Sequence, residues 1–205
     1  MSASLFQKYI EKLFCMIAED ISGSTKEGYN VAIASVHPSI KRRNLIDLQQ
    51  SLQITGAFES YVRRYFPNMV KEEDYHIVMK MILCEIEDKT CGKLKKLAKS
   101  LEQNVIREPA LEDKIWKVYK GDSGEEPFEP CISESWFKKD EIRKLGHEAN
   151  LWRNELAHSK GSYEPKLDTI RAIRLLEHLN YAIVLRKMGF NNNEIKELLQ
   201  VVLRR

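Results

Sequence analysis

The sequence predicts an all-α protein, a bundle of six to eight helices, and three observations predict it. Apolar residues recur at spacings of three and four through most of the chain, as one face of a helix requires. Gly and Pro together number only 15 of 205 residues (9 and 6), too few for a fold built from many tight turns. The glycines and prolines that do occur fall mostly at the ends of the periodic stretches, where they stop helices. Hydrophobic residues make up 43% of the chain, enough for a sizeable core.

Leu5, Ile10, Leu13, Phe14 and Ile17 place a first helix over about 4–21, and Ser22-Gly23-Ser24-Thr25 reads as a linker. Tyr29–Val36 alternates apolar and polar residues before His37-Pro38, so a short strand or an irregular segment is expected near residues 29–36. Residues 1–44 are therefore set apart as an N-terminal helix and linker, a remnant of an upstream domain, from a helical domain over 45–205. Helical spacing resumes at Leu45 and stops at Pro67. A helix over 72–88 puts Tyr75, Val78, Met79, Ile82 and Ile86 on one face. A basic helix over 92–106 turns Leu94, Leu97, Leu101 and Val105 inward. A short helix over 111–119 runs into an acidic loop, Gly121–Pro127, expected to be mobile. The next helix starts near Ser135 and runs to His158, broken by Gly161 and Pro165. Another runs from Leu167 to Met188 and ends at Gly189. Asn191-Asn192-Asn193-Glu194 then offers a cap and a capping box for a last helix reaching Leu203.

A formal net charge of +3 is weak evidence for a nucleic-acid partner; its distribution says more. Cys91–Arg107 holds five bases and one acid, Glu108–Ser135 eight acids and three bases, and the residues from Lys166 onward eight bases and four acids. A basic surface away from an acidic insertion is expected. Cys15, Cys84, Cys91 and Cys131 show neither CxxC spacing nor a nearby His at zinc-ligand spacing, so free thiols in a reducing cytoplasm are expected, and no metal or cofactor is implied. No apolar run approaches a membrane span, and Met1–Ile10 lacks the pattern of a signal peptide.

The chemistry-bearing element is the helix ending at His158. At about 100° per residue, Leu145, Ala149, Trp152 and Leu156 line one face as a core stripe. His147, Asn150, Asn154 and His158 line another. Solvation alone would be served by Lys and Glu, so a row of His and Asn suggests a surface that meets something. Arg153 lies between the stripes. The last turn of a helix carries partial negative charge, which favours the protonated form of His158. A histidine near neutral pKa can take the proton of an RNA 2′-hydroxyl or return one to a leaving 5′-oxygen, and an arginine fork matches phosphate oxygens. One histidine makes one proton transfer at a time, so two copies of the motif, hence a homodimer, would complete the site. Spacing by itself is better served by a histidine that only pairs with the helix dipole.

Arg153-Asn154-x-x-x-His158 resembles the Arg-x4-His motif of the HEPN superfamily. Phe58-Glu59-Ser60-Tyr61-Val62-Arg63-Arg64-Tyr65-Phe66 is similar to an early helix of its ApeA-like branch, and Leu175–Phe190 with Ile195 to its closing helices. The likeness covers roughly residues 45–203. It implies a HEPN-like helical bundle acting as a metal-independent endoribonuclease, dimeric, with both motifs in one cleft, in anti-phage defence or as a toxin. It assigns Arg153 and His158 as the catalytic pair and Asn154 as a supporting residue. ApeA-like proteins usually carry a further N-terminal domain, so a regulatory domain or protein partner is expected. The competing reading is a non-catalytic module of the same type that binds RNA, a nucleotide or a protein.

Around this pair, His147 and Asn150 are candidates for contact with RNA or the partner copy, and Ser159 and Lys160 for contact with phosphate. His147 fits a hydrogen-bonded interface residue better. His76 and His178 read as structural and His37 as a turn residue. Lys93, Lys95, Lys96 and Lys99 could track a phosphate backbone but suit a solvated face better. Trp116, Trp136 and Trp152 read as core anchors rather than stacking platforms.

Overall fold

The computed structural model describes residues 2–21, 48–67, 73–89, 91–104, 109–121, 124–132, 134–158 and 165–203. All regular structure among them is helical: α1 (Ala3–Ile21), α2 (Leu48–Tyr65), α3 (Glu73–Lys89), α4 (Lys93–Asn104), α5 (Leu111–Lys120), α6 (Ile142–His158), α7 (Leu167–Lys187) and α8 (Asn192–Val202), with 3-10 turns at Glu129–Cys131 and Lys139–Glu141. The strand-like stretch near residues 29–36 lies outside the described residues. None of the described helices is long and apolar enough to cross a membrane.

The centre of the bundle is α7. From Leu175 to Asn180 every residue is buried, on all sides of the helix. A helix buried all round needs neighbours on every face. Here α2, α6 and α8 supply them. Two of its buried polar side chains make hydrogen bonds. Arg174 pairs with Glu177 at 2.8 Å, and Asn180 Nδ2 donates to the Ile54 carbonyl of α2 at 2.9 Å. Leaving such groups unpaired would cost about 1–3 kcal/mol each.

The termini of α7 and α8 follow the sequence signals. The Gly189 N–H donates to the Arg186 carbonyl and the Phe190 N–H to the Leu185 carbonyl, the Schellman pattern, with Gly189 at φ 79°. The Asn191 side chain accepts from the backbone of Asn193 and Glu194, while Glu194 accepts from the Asn191 N–H, closing the capping box. The α1 helix docks on this corner: Leu5 joins the core, Lys8 pairs with Glu194, and Tyr9 approaches Phe190.

Three expectations are corrected. The helix carrying the motif begins at Ile142 rather than near Ser135. Trp136 and Phe137 turn inward and place their rings edge-on to His178, and the chain re-enters helix only after Glu141 accepts the Lys138 N–H at 3.2 Å. The acidic loop is held from Glu126 onward: Arg186 donates to the Glu126 and Pro127 carbonyls and lies 3.5 Å over the Phe128 ring. At its start, Gly121 (φ 71°) meets the Glu125 and Pro127 backbone so closely that no Cβ fits there. Finally, Leu94 and Leu97 of α4, expected to turn inward, are exposed, as is most of the apolar face of α3. Val78, Ile82, Ile86, Leu94 and Leu97 face outward, and Leu83 is the buried residue of α3 among those described.

Candidate functional site

The α6 helix is anchored by one face. Leu145, Ala149 and Trp152 are buried and Leu156 packs against the same core. Gly146 lets α6 approach α5 closely: a Cβ there would sit 3.4 Å from the Glu112 backbone. That burial fixes the rotation of α6 and so the direction of its polar row. His147 is exposed, and Asn150 and Asn154 are half-buried. The row therefore reaches the surface on a helix that cannot turn.

His147 is occupied by a neighbour. Its Nδ1 lies 2.7 Å from Glu112 Oε2, tying α6 to α5. Further along, Arg153 donates to Asn154 Oδ1 at 3.3 Å and pairs with Glu59 Oε1 of α2 at 3.5 Å. Its side chain is still 43% exposed, so the guanidinium keeps a solvent-facing side. Glu59 also lies 3.8 Å from the ammonium of Lys114, which is only 2% exposed. Burying an ammonium costs several kcal/mol unless a carboxylate accompanies it. Glu59 thus answers to a buried cation on α5 and an exposed one on α6.

His158 is the last residue of α6, five positions or about 7.5 Å of helix axis beyond Arg153. The placement of its side chain, and Ser159 and Lys160 altogether, lie outside the described residues. The structure brings Arg153 and Asn154 together and sends His147 to Glu112.

Sequence reasoning missed Glu59 as a member of this group, although it lies within a segment quoted for its likeness. Its partner Lys114 is separated from it by 55 positions, and no local pattern announces their meeting. The only sequence signal was a lysine at a position of α5 where the apolar spacing of Leu111, Ile115 and Val118 calls for burial.

The fold and this helix define a class: an all-α bundle that displays an Arg-x4-His turn at the end of a core-anchored helix. The model of the Apea-like HEPN family matches residues 52–194, and the chain belongs to that family. The match begins within α2 and ends at the capping residues of α8, so it takes in Glu59, Lys114 and the whole of α6. Comparison with curated proteins and with solved structures finds no match.

Proposed function

We propose that this protein is a metal-independent endoribonuclease of HEPN type, acting as a homodimer in the cytoplasm, in anti-phage defence or as a toxin. The observation that carries the reading is the position of Arg153 in a family-matched chain: at the polar edge of a helix whose other face is locked in the core, paired to Asn154 and Glu59. In this reading the substrate 2′-oxygen forms a bond to phosphorus as the bond from phosphorus to the 5′-oxygen breaks. The products are a 2′,3′-cyclic phosphate and a free 5′-hydroxyl. His158 of one copy accepts the 2′-hydroxyl proton, and His158 of the second copy donates a proton to the departing 5′-oxygen. Arg153 stabilises the negative charge on the phosphoryl oxygens. Asn154 and Glu59 hold the guanidinium in place; neither touches substrate in this scheme. In the same scheme Asn150, Ser159 and Lys160 are assigned contacts with the RNA strand.

The test is incubation of purified protein with end-labelled RNA in the presence of a chelator. Wild-type protein yields cyclic-phosphate ends. Arg153→Ala and His158→Ala each lower the rate by about 10³, within the range typical of lost acid–base or charge-stabilising groups. RNA left intact by the wild-type dimer overturns the proposal.

One observation favours the second reading, a non-catalytic module that binds RNA, a nucleotide or a protein. The Arg153 charge is already engaged by Glu59, as suits a residue that exchanges one anion for another on binding. That reading predicts that Arg153→Ala weakens RNA binding while no cyclic-phosphate ends form with either protein.

A further inference from the structure

Among the described residues, the largest apolar surface outside the core lies on the α3–α4 hairpin. Ile77, Val78, Met81, Ile82 and Ile86 of α3 and Leu94 and Leu97 of α4 are each 41–68% exposed. Val78, Ile82 and Ile86 form one ridge at spacings of four, with Ile77 and Met81 on the ridge beside it. Every described side chain of α4 is exposed. Seven large side chains at about half exposure amount to several hundred Å², above the usual single patch of a monomer, and approach the roughly 800 Å² that each partner gives a standard interface. Two helices side by side bury only the stripe between them, whereas four enclose a core.

The hairpin also divides its charge. Its first helix, α3, holds five acids and two bases, net −3, and α4 holds four bases and one acid, net +3. Glu85 and Asp88 near the end of α3 and Lys93, Lys95 and Lys96 at the start of α4 are exposed on either side of the turn. Such a hairpin is complementary to itself. When two copies pair with both turns at one end, the helices alternate as α3, α4, α3 and α4 around a bundle. Each helix then runs antiparallel to both neighbours and meets opposite charge on both sides, with like charges on the diagonals. An anionic lipid surface would suit the lysines of α4 but be repelled by the acids of α3.

We infer that a second copy of this chain docks on the exposed face of the α3–α4 hairpin, the two hairpins closing into an antiparallel four-helix bundle about a two-fold axis. The inference rests on the homodimer proposed above and names its surface; it stands whether or not the dimer cleaves RNA. The ridge of Val78, Ile82 and Ile86 and the leucines of α4 form the seam, and the charges beside the turns set which end meets which. Dissociation re-exposes the hairpin without unfolding α7, so its amides exchange faster than those of α7 and slow as the concentration of chain rises.

The experiment measures the mass of the full chain in solution by light scattering, under reducing conditions so that the exposed Cys84 and Cys91 form no disulfide. The wild type is expected to be a dimer at micromolar concentration. One variant reverses the acids, Glu85→Lys with Asp88→Lys, and another the bases, Lys93→Glu with Lys96→Glu. Each alone sets like charges against each other and should weaken association at least about tenfold; mixed together they should recover a dimer holding one copy of each. Ile82→Gln, which leaves every charge in place, should weaken association as well, with its helix content unchanged by circular dichroism. Reversed variants and Ile82→Gln that all remain dimeric overturn the hairpin as the surface while leaving the homodimer standing. A mixture that stays monomeric also overturns it. A monomeric wild type overturns the hairpin and the homodimer together, and its capture by phosphatidylserine vesicles would assign the face to lipid instead.

Discussion

Two parts of this chain carry the same amphipathic spacing and meet different fates. In α7 the residues from Leu175 to Asn180, apolar and polar alike, are buried, with α2, α6 and α8 packed around the helix. In the α3–α4 hairpin the two helices pack chiefly on each other, and large apolar side chains remain outside: Met81 is 68% exposed and Leu94 62%. Periodicity specifies that a helix has an apolar face; only neighbours of the right shape decide whether that face is covered. Where they are present, burial also fixes how α6 is rotated, and so where Arg153 points.

The contrast predicts a graded series of mutational costs. Leu176 is fully buried in α7, so Leu176→Ala should lower the unfolding free energy by about 2–5 kcal/mol, read from denaturant melts. A cost near that of a surface site would show that α7 is not the centre of the bundle.

Acid should act through the same helix. The folded-state pKa of His178, about 4, lies below the ordinary imidazole value, because burial disfavours the charged ring. Protonation therefore favours the unfolded chain. The stability is fully present above about pH 6.5 and is lost as pH falls toward 4, by at most about 3 kcal/mol. Glu141, held at about 2 by Arg171, adds to the loss in the same direction at lower pH. Melts of His178→Gln should be flatter over the upper part of this window; an unchanged profile would assign the acid sensitivity elsewhere.

Between core and surface lies the group around Glu59. Glu59→Gln removes the carboxylate that lies 3.8 Å from the buried Lys114 ammonium, at a cost of about 1–3 kcal/mol. Adding Lys114→Met should recover most of that loss, and a double variant no better than the single one would separate the two residues. Smallest of all, Met81→Ala should change stability by less than about 0.5 kcal/mol, and amides of α3 and α4 should exchange with deuterium faster than those of α7. Slow exchange in the hairpin would mean that its exposed face is covered in solution.

The same contrast explains what could be read from the sequence. Asn191 and Glu194 specify a cap, Gly189 a stop and Leu145/Ala149/Trp152 a core face, because each acts within a turn or two of the chain. The inward face assigned to Leu94 and Leu97 failed, since burial depends on partners that periodicity does not name. The start of α6 was misplaced by seven residues because Trp136 and Phe137 have helical spacing but are drawn away to His178. In the site, Arg153 and Asn154 were legible as neighbours on one helix. Glu59 and Lys114 were not, because their meeting requires α2, α5 and α6 to be assembled first. Reading His178 as structural and Trp136 as a core anchor agrees with the edge-on packing of the two rings.

The central claim is that Arg153 and His158 supply half of a site completed by a second copy of the chain. Co-expressing wild-type protein with increasing amounts of His158→Ala and measuring RNA cleavage by the purified mixture tests it most directly. If each cleavage needs His158 from both copies, activity follows the square of the wild-type fraction, and an equal mixture retains about a quarter. An equal mixture that retains about half, falling in simple proportion to the wild-type fraction, would place the whole site in one chain and contradict the account.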